Sequence, residues 1–491
     1  MGQGALYTRI VKSSAIYSIG LFAPTLASLI LLPVYTRYLS PADYAVMDLL
    51  DTTRNLFSLL VGGRFAEALF YFYAGAQDEA ERKRTVGTAM AGAALVGIAG
   101  ALVGCLLSPW LSRLVFQTPR WTPYFYLCFL AFGLSLPMEM GFAWLRARDV
   151  PVQYVAASLA RLGLNLVLTV AFLVVLHKGI AGVLWSGTVT NALVMLLVSV
   201  PCVLKTSLCF VPALFWKQFK FSVLLGASGV ALLVIHSGDR YFLQRNVPLA
   251  QVGIYSIAYK IGMLISLVQA AFGQYWTGQM YFLIRGEGAL RRFARINTYY
   301  MLVLVYSAVG VSVFAAPVVL TFTTSRFWSA IPYVPWIAAA YVLRSQGDYL
   351  RMAFYLDGKP ASDTRLNWIA ATFCLAAYAT LIPRFTLWGA VAATALTFVV
   401  VTVLSWRWVR KLRPYWLEYA RLSKLLAVGC LVAAAGILVR PPALPLAWAF
   451  GLVCALAFPA LLYGTGFLEA DEKDFLAALF QKLRTRPYRA V

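Results

Sequence analysis

The sequence has little charge for its length. Asp, Glu, Lys and Arg make up 12% of the 491 residues, while 61% of the residues are hydrophobic; soluble domains are about 25% charged. Apolar runs recur from end to end, each long enough to cross about 30 Å of hydrocarbon as a helix. The residue alternation of barrel strands is absent. The sequence therefore predicts an all-α polytopic membrane protein.

The apolar runs divide into fourteen predicted spans. They cover residues 14–36, 45–73, 85–108, 122–144, 152–176, 180–204, 219–242, 252–284, 297–322, 330–355, 366–383, 386–408, 420–439 and 444–468. The loops between them are short, the longest about fifteen residues. A sizeable domain outside the bilayer is therefore not expected.

Motifs of several enzyme classes are also missing. There is no Gly-x-x-x-x-Gly-Lys-Ser/Thr loop for ATP phosphates and no Gly-x-Ser-x-Gly nucleophile elbow. The two histidines, His177 and His236, lack metal-ligand spacing, and the seven cysteines form no Cys-x-x-Cys pair. Together with the short loops, these absences disfavour a membrane glycosyltransferase or polymerase, and we expect neither an enzyme nor a cofactor or metal.

Acidic residues are scarce beside basic ones, 19 against 42, which gives a net charge of +23. The alternate loops that start from the N-terminus hold about three times as many Lys and Arg as the opposite set. This asymmetry is typical of membrane topology and disfavours a nucleic-acid partner. It predicts that both termini are cytoplasmic. No cleavage site precedes the first span, which we expect to be an uncleaved signal anchor.

Two pairs of landmarks share one offset. Residues 39–46 (LSPADYAV) precede span 2 and residues 247–254 (VPLAQVGI) precede span 8, so that Pro41 and Pro248 are 207 residues apart. Gly182 and Gly389, near spans 6 and 12, are also 207 residues apart. This repeat predicts two six-helix lobes in the same orientation. The predicted units are residues 1–218, residues 219–414, two extra spans in 415–468, and an amphipathic cytoplasmic tail in 469–491.

The first span of each predicted half contains residues that weaken helices. These are Gly20 and Pro24 in span 1, and Gly226 and Gly229 in span 7. Pro removes a helical hydrogen bond, and Gly loosens the helix. We expect bends here, in helices that move and line the substrate path. The alternative is the ordinary frequency of Gly and Pro in membrane helices.

Charged residues nevertheless occur deep inside predicted spans. Span 2 contains Asp48, Asp51, Arg54, Arg64 and Glu67, and further spans contain Arg161, Lys260, Arg344, Asp348 and Arg351. A charge at the centre of an inserted helix costs roughly 2.5–3.5 kcal/mol. These groups must therefore pair with each other or face water and protein.

Two interpretations of the deep charges stay open. Structural ion pairs fit Asp51 with Arg54, Arg64 with Glu67, and Asp348 with Arg344 and Arg351. Arg161 and Lys260 have no acidic residue in their own spans, which leaves a positive surplus and predicts an aqueous cavity for an anion. The candidate anion ligands are Arg54, Lys260, Arg161, Arg344, Arg351 and Arg64. The candidates for coupling-ion binding or pairing are Asp48, Asp51, Asp348 and Glu67.

Two stretches of sequence carry a family resemblance. They are residues 32–44 (LPVYTRYLSPADY), and residues 238–243 (GDRYFL) followed by 252–260 (VGIYSIAYK). With them the chain resembles, over about residues 10–410, the polysaccharide transporter branch of the multidrug/oligosaccharidyl-lipid/polysaccharide exporter superfamily, near its Wzx-type flippases.

The resemblance implies a V-shaped pair of six-helix lobes with alternating access. The implied cargo is an undecaprenyl-diphosphate-linked oligosaccharide, carried from the cytoplasmic to the periplasmic leaflet of a bacterial inner membrane for O-antigen or exopolysaccharide assembly. Polysaccharide polymerase or assembly proteins are implied as possible partners. By position, Arg54, Lys260, Arg161 and Arg344 are assigned to the anionic head group. The two extra spans would hold the lipid tail, as in the related lipid II flippases.

The alternative within transport is a cation-coupled multidrug exporter of the same superfamily. A lumen for cationic drugs should carry net acid, whereas the deep charges of this chain carry net base. The charge balance therefore favours an anionic cargo.

Overall fold

The computed structural model describes residues 25, 27–206, 209–283, 288–412, 417–439, 441, 443–469 and 471–473. Within these ranges the chain forms α-helices joined by short connections, two 3-10 segments (Pro119–Trp121 and Ser325–Tyr333) and no strand. The prediction of an all-α architecture is confirmed.

The helices of the first part of the chain pack around one another. They are α1 (Leu32–Tyr38), α2 (Pro41–Val61), α3 (Phe65–Gly75), α4 (Glu79–Phe116), α5 (Thr122–Ala147), α6 (Pro151–Val170, continued by a π-turn at Ala171–Val175) and α7 (Gly179–Thr206). The start of α2 follows from its sequence, because Ser40 and Asp43 form a capping box and Pro41 stands in the first turn.

The remaining helices follow the same pattern. They are α8 (Pro212–Ser237), α9 (Asp239–Asn246), α10 (Leu249–Gly262), α11 (Ile265–Leu283), α12 (Ala289–Val313), α13 (Ala315–Phe322), α14 (Val334–Leu356), α15 (Pro360–Leu412), α16 (Tyr419–Leu438) and α17 (Leu444–Gly464). The backbone of α15 turns sharply at Thr386, where φ is 51° and ψ is −122°.

Eleven helical segments of the described chain are long and apolar enough to cross a membrane. One of them, Ala361–Lys411 in α15, has 51 residues, or about 77 Å of helix, so the turn at Thr386 divides it into two crossings. The 23-residue α14 is long enough for a further crossing but carries three charges. Thirteen of the fourteen predicted spans thus have a counterpart, and most of the first lies outside the described residues. The protein is a multi-pass membrane protein.

The outer surface is apolar. Leu106, Leu204 and Leu438 are 81%, 78% and 80% exposed, and many other large hydrophobic side chains are exposed with them. In water such a surface would be costly, whereas in hydrocarbon it needs no further burial. The exposed apolar side chains therefore mark the lipid-facing side of the helices.

The two landmark stretches of the sequence repeat meet in the structure. Helix α2, which begins at Pro41, packs against α10, and a Cβ atom added at Gly253 would overlap the carbonyl oxygen of Pro41. The glycine is therefore required for the close approach of the two helices. The division of the chain into two six-helix lobes stays a prediction.

At Gly226 and Gly229 the expected bend is not present, while the expectation that this helix moves stays a prediction. Helix α8 runs without a break through both glycines. They allow close packing instead, since an added Cβ would lie 2.7 Å from the Leu59 carbonyl oxygen at Gly226 and 2.8 Å from Leu59 Cδ2 at Gly229. Gly20 and Pro24 lie outside the described residues.

A bend occurs instead in span 2, which is predicted as one span over residues 45–73. Helix α2 ends at Val61 and α3 begins at Phe65. Gly63 has a φ of +54°, a conformation that favours glycine. The freed backbone groups bond to α8: Ser222 Oγ donates to the Gly62 carbonyl at 3.1 Å, and the Arg64 amide donates to the Ser222 carbonyl at 3.2 Å.

Residues 469 and 471–473 are the described part of the predicted tail. Glu472 accepts hydrogen bonds from Arg421 at 2.8 and 3.1 Å and from Arg295 at 3.1 Å. The start of the tail is therefore bound to α12 and α16. Its predicted amphipathic continuation lies outside the described residues.

Candidate functional site

Two adjoining cavities lie among α2, α5, α6 and neighbouring helices. The narrow cavity has a volume of about 340 Å³, and the wide cavity has a volume of about 540 Å³. The polar and charged residues of the narrow cavity are Tyr35, Asp51, Arg54, Ser158, Arg161, Asn165, Thr190 and Asn191. Those of the wide cavity are Asn55, Ser58, Arg64, Glu67, Glu139, Arg146, Tyr154, Ser158 and Arg161. The cavities share Ser158 and Arg161.

The cavities follow one another along α2 and α3. The narrow cavity is lined by Met47, Asp51 and Arg54, and the wide cavity by later positions from Asn55 to Glu67. The helical part from Met47 to Val61 alone is about 21 Å long at 1.5 Å per residue, and the path continues past the bend at Gly63 to Glu67. Polar groups thus line a path comparable in length to the membrane interior.

Two ion pairs form along this path, both within one turn of helix. Arg54 lies 3.4 Å from Asp51, and Arg64 lies 3.6 Å from Glu67. The side chains are 28% and 60% exposed in the first pair, and 43% and 48% exposed in the second. Ion pairs that water reaches contribute about 0–1 kcal/mol. Their partners are therefore easily exchanged.

Arg161 lies where the two cavities meet. Among the described residues it forms no ion pair within 4 Å and no hydrogen bond, and Glu139 of α5 lines the wide cavity with it. Its guanidinium therefore has donors available for a ligand that enters either cavity.

Glu139 and Arg146 were missed by the sequence analysis. Glu139 lines the wide cavity from inside predicted span 122–144, so a single acidic residue in an apolar run was the available signal. Arg146 lay just beyond that predicted span, but its guanidinium reaches the wide cavity over the Phe70 ring, 4.9 Å from the centroid. The cavities together contain four arginines (Arg54, Arg64, Arg146 and Arg161) against three carboxylates (Asp51, Glu67 and Glu139).

Asp48 lines neither cavity and lies at the contact of α2 with α9 and α10. Its Oδ2 accepts from Arg240 Nε at 2.6 Å and from Ser256 Oγ at 2.6 Å. Arg240 also donates to Asp239 at 2.8 Å, and Tyr255 donates to the fully buried Asp239 at 2.5 Å. We name this group, Asp48, Asp239, Arg240, Tyr255 and Ser256, the Asp48 cluster.

The Asp48 cluster lies where α2 contacts α10, the two helices that begin at the repeat landmarks. Residues 238–243 belong to the stretch that carries the family resemblance. Asp239 and Arg240 lie in predicted span 7 but are absent from the predicted deep charges. Nearby, Lys260 donates to Tyr44 at 3.0 Å. Lys260 lines neither cavity.

The charges of α14 form a third group. Asp348 lies 3.4 Å from Arg344 and also binds Arg351 and Gln269, while Arg351 lies 3.0 Å from Asp363. Arg344 and Arg351 are 7% and 6% exposed. We name these four charged residues the α14 cluster. The two arginines are buried, Asp348 and Asp363 are partly buried, and none of the four lines either cavity.

Metal-ligating side chains do not gather at these sites. Within the described parts of the chain, no group of three or more His, Cys, Asp or Glu residues is arranged to hold a metal ion. The cavities therefore offer arginine, carboxylate, amide and hydroxyl groups for binding.

A sequence model of the family described as polysaccharide biosynthesis protein matches residues 10–276. The chain belongs to this family. The matched range includes α1 to α10, and hence both cavities and the Asp48 cluster. Among curated proteins, no relative matches the chain.

Solved structures share the fold. The lipid II flippase MurJ, in an inward closed conformation, has a TM-score of 0.69 at 12% identity and covers 92% of this chain and 100% of its own. A multidrug resistance MATE family transporter in an inward-facing conformation has a TM-score of 0.63 at 16% identity, over 81% of this chain and 97% of its own. A MOP superfamily transporter from Pyrococcus furiosus has a TM-score of 0.55 at 17% identity, over 82% and 95%. The family member described here thus has the fold of the multidrug/oligosaccharidyl-lipid/polysaccharide exporter superfamily.

Proposed function

We propose that this protein is a flippase for an undecaprenyl-diphosphate-linked oligosaccharide, which it carries from the cytoplasmic to the periplasmic leaflet for surface polysaccharide assembly. The observation that carries the proposal is the pair of cavities stacked along α2 and α3, with four arginines against three carboxylates. Membership of a polysaccharide biosynthesis family and the fold shared with a lipid II flippase support it.

The diphosphate binds around Arg161 in this proposal. A guanidinium binds phosphate oxygens with two parallel hydrogen bonds, and Arg161 has no competing partner among the described residues. Arg54 and Arg64 lie on either side of it along the path, and each is held by an accessible carboxylate that a phosphate can replace. Arg146 adds a fourth cation to the wide cavity.

The direction of opening follows from the predicted topology. Both termini are cytoplasmic in this proposal, in a bacterial inner membrane, so Pro41 lies near the periplasmic end of α2 and Glu67 towards the cytoplasm. The α2–α10 contact and the Asp48 cluster then close the periplasmic side. Cargo enters the wide cavity first, and outward opening requires the Asp48 cluster to separate.

The remaining deep charges have other roles in this proposal. Arg344 and Arg351 stabilise α14 through Asp348 and do not bind the head group, because they are buried away from both cavities. Lys260 holds Tyr44 at the α2–α10 contact and meets cargo only when that contact opens.

The test is a leaflet assay in proteoliposomes with a fluorescent undecaprenyl-diphosphate oligosaccharide. Charge-assisted hydrogen bonds contribute about 1.5–3 kcal/mol, so Arg161→Gln should slow movement by about 10- to 100-fold. Arg113→Gln, an exposed arginine at the C-terminal end of α4, is the matched control and should retain the wild-type rate. Equal rates for Arg161→Gln and wild type would reject the head-group site. Proton- or sodium-dependent efflux of small cations, without lipid movement, would favour the drug-exporter alternative.

A further inference from the structure

We infer that the narrow cavity is a carbohydrate subsite, which takes the sugar attached to the diphosphate. The inference rests on the proposed function and adds the part of the substrate that is recognised beyond Arg161. It makes the uncharged polar groups of the narrow cavity determinants of sugar specificity, beside Arg54 and Arg161, which line the same cavity.

The narrow cavity has fewer charged residues than the wide one, three against five. Helix α7 contributes Thr190 and Asn191 to the narrow cavity and nothing to the wide one. Asp51 is neutralised within its own helix by Arg54. The other polar groups include amides and hydroxyls, which offer donors and acceptors side by side. Such a mixture suits the hydroxyl groups of a sugar better than a bare anion.

Thr190 has a buried hydroxyl group that lacks a partner. The residue is 1% exposed, and its Oγ1 makes no hydrogen bond among the described residues. Its neighbours on α7 behave differently, since Ser186 donates to the Val183 carbonyl at 2.8 Å and Thr188 to the Leu184 carbonyl at 2.8 Å. An unpaired buried hydroxyl is costly. Because Thr190 lines the narrow cavity, a ligand hydroxyl is the partner that this position lacks.

Amide groups stand on two walls of the same cavity. Asn165 of α6 makes no hydrogen bond among the described residues, whereas Asn191 of α7 donates to the Ala131 carbonyl at 3.3 Å. An amide that water or ligand can reach offers one acceptor and two donors. Thr190 and Asn165 therefore provide the binding groups of the subsite.

The cavity has room for a small ring. Its volume of about 340 Å³ lies near the lower end of the range of about 300–1,000 Å³ for small-molecule sites. Gly187 lines it, and a Cβ added there would meet no atom within 4 Å. A side chain at this position would therefore extend into open space.

The order of the cavities matches the order of groups in the cargo. A lipid-linked sugar presents its diphosphate nearest the tail and its sugar beyond. Arg161 lines both cavities, at the position where the wide one meets the narrow one. With the diphosphate at Arg161, the sugar lies in the narrow cavity, against Thr190 and Asn165.

The test compares two probes in proteoliposomes, undecaprenyl diphosphate with and without its sugar. We expect the wild type to move the sugar-linked probe faster. The double variant Thr190→Val/Asn165→Leu keeps side-chain volume but removes both binding groups, and it should reduce the rate ratio of the two probes about tenfold. The control Thr188→Val changes a hydroxyl two residues away that lies outside the cavity, and should leave the ratio unchanged.

A second variant tests whether the open volume of the narrow cavity is needed for the sugar. Gly187→Phe should fill the narrow cavity and reduce the same ratio at least as strongly. Gly163→Phe is its control, because Gly163 lines neither cavity and a Cβ there also meets no atom within 4 Å.

The outcomes separate the two proposals. If the wild type moves both probes equally, or if all variants leave the ratio unchanged, the carbohydrate subsite is rejected while the flippase remains. If the wild type moves neither probe, the proposed function fails, and the subsite fails with it.

Discussion

The cavity charges and the α14 cluster are similar in composition but differ in surroundings. Arg54 and Arg64 pair with carboxylates that are themselves 60% and 48% exposed, and Arg161 has no ion pair within the described part of the chain. Arg344 and Arg351 are below 10% exposed and share Asp348. An accessible pair gains little and can exchange its partner for a ligand, whereas a buried pair that loses one member leaves an uncompensated charge. Accessibility, and not residue type, therefore decides which membrane charges can bind cargo.

The largest loss of stability should come from removing a carboxylate of the buried α14 cluster. Asp348→Ala leaves the buried Arg344 without a carboxylate and leaves Arg351 with Asp363 alone, which should cost about 3–5 kcal/mol of stability. Asp51→Ala is the matched carboxylate on the cavity side and should cost about 1 kcal/mol or less. Thermal unfolding of both variants in detergent measures the difference. Equal stability of the two variants would contradict the distinction.

The Asp48 cluster should give an intermediate effect. Asp48 is 28% exposed, but its partner Arg240 is 7% exposed and keeps Asp239 when Asp48 changes. We expect Asp48→Asn to cost about 1–3 kcal/mol, because one charge-assisted hydrogen bond is weakened and one acceptor remains. The same unfolding measurement places it between the previous two variants. A loss as large as that of Asp348→Ala would place Asp48 with the fully buried charges.

Glu472 extends the comparison to a site outside the membrane spans. Burial raises the pKa of Glu472, but hydrogen bonds from Tyr299, the Glu469 backbone and Arg421, with the charge of Arg421, outweigh it and lower the pKa below its usual range. A carboxyl whose folded pKa is depressed adds stability above its unfolded pKa, and this stability is lost as pH falls through the folded pKa. Glu472→Gln should therefore lower stability by about 1–2 kcal/mol at neutral pH.

The pH profile is the control for that expectation. The difference in unfolding temperature between wild type and Glu472→Gln should be constant above about pH 5 and shrink below pH 4.5. A difference that does not change with pH would show that the carboxylate charge is not what binds the tail.

The smallest effect should come from the exposed pair Arg64–Glu67. Their 3.6 Å contact is open to the wide cavity, so the coupling energy should be about 0–1 kcal/mol. A double-mutant cycle with Arg64→Ala and Glu67→Ala measures it directly. A coupling above about 2 kcal/mol would mean that this pair is structural and unavailable to cargo.

Features within one helix were predictable from the sequence. Asp51 with Arg54, Arg64 with Glu67, and Asp348 with Arg344 and Arg351 all form the pairs that their spacing predicts. Residues three or four apart share a helix face whatever the helix packs against. Glycine gave the exceptions. Gly62 and Gly63 bend predicted span 2, whereas Gly226 and Gly229 lie in a helix that stays unbroken and allow it to pack closely against its neighbour.

Contacts between helices were not predictable in the same way. Asp48 with Arg240, and Glu139 near Arg161, join residues from separate spans. Their meeting depends on the depth and rotation of each helix, which close contacts such as Gly253 against Pro41 determine. No spacing in the sequence encodes those quantities.

By itself the sequence determined the all-α membrane class, the thirteen predicted spans that have a counterpart in the structure, and the ion pairs within single helices. Hydropathy and helical periodicity, which predict these features, are local properties. The tertiary structure decided which of those charges line the cavities and which are buried. That distinction depends on how the helices pack: whether water reaches a side chain is a property of its neighbours in space.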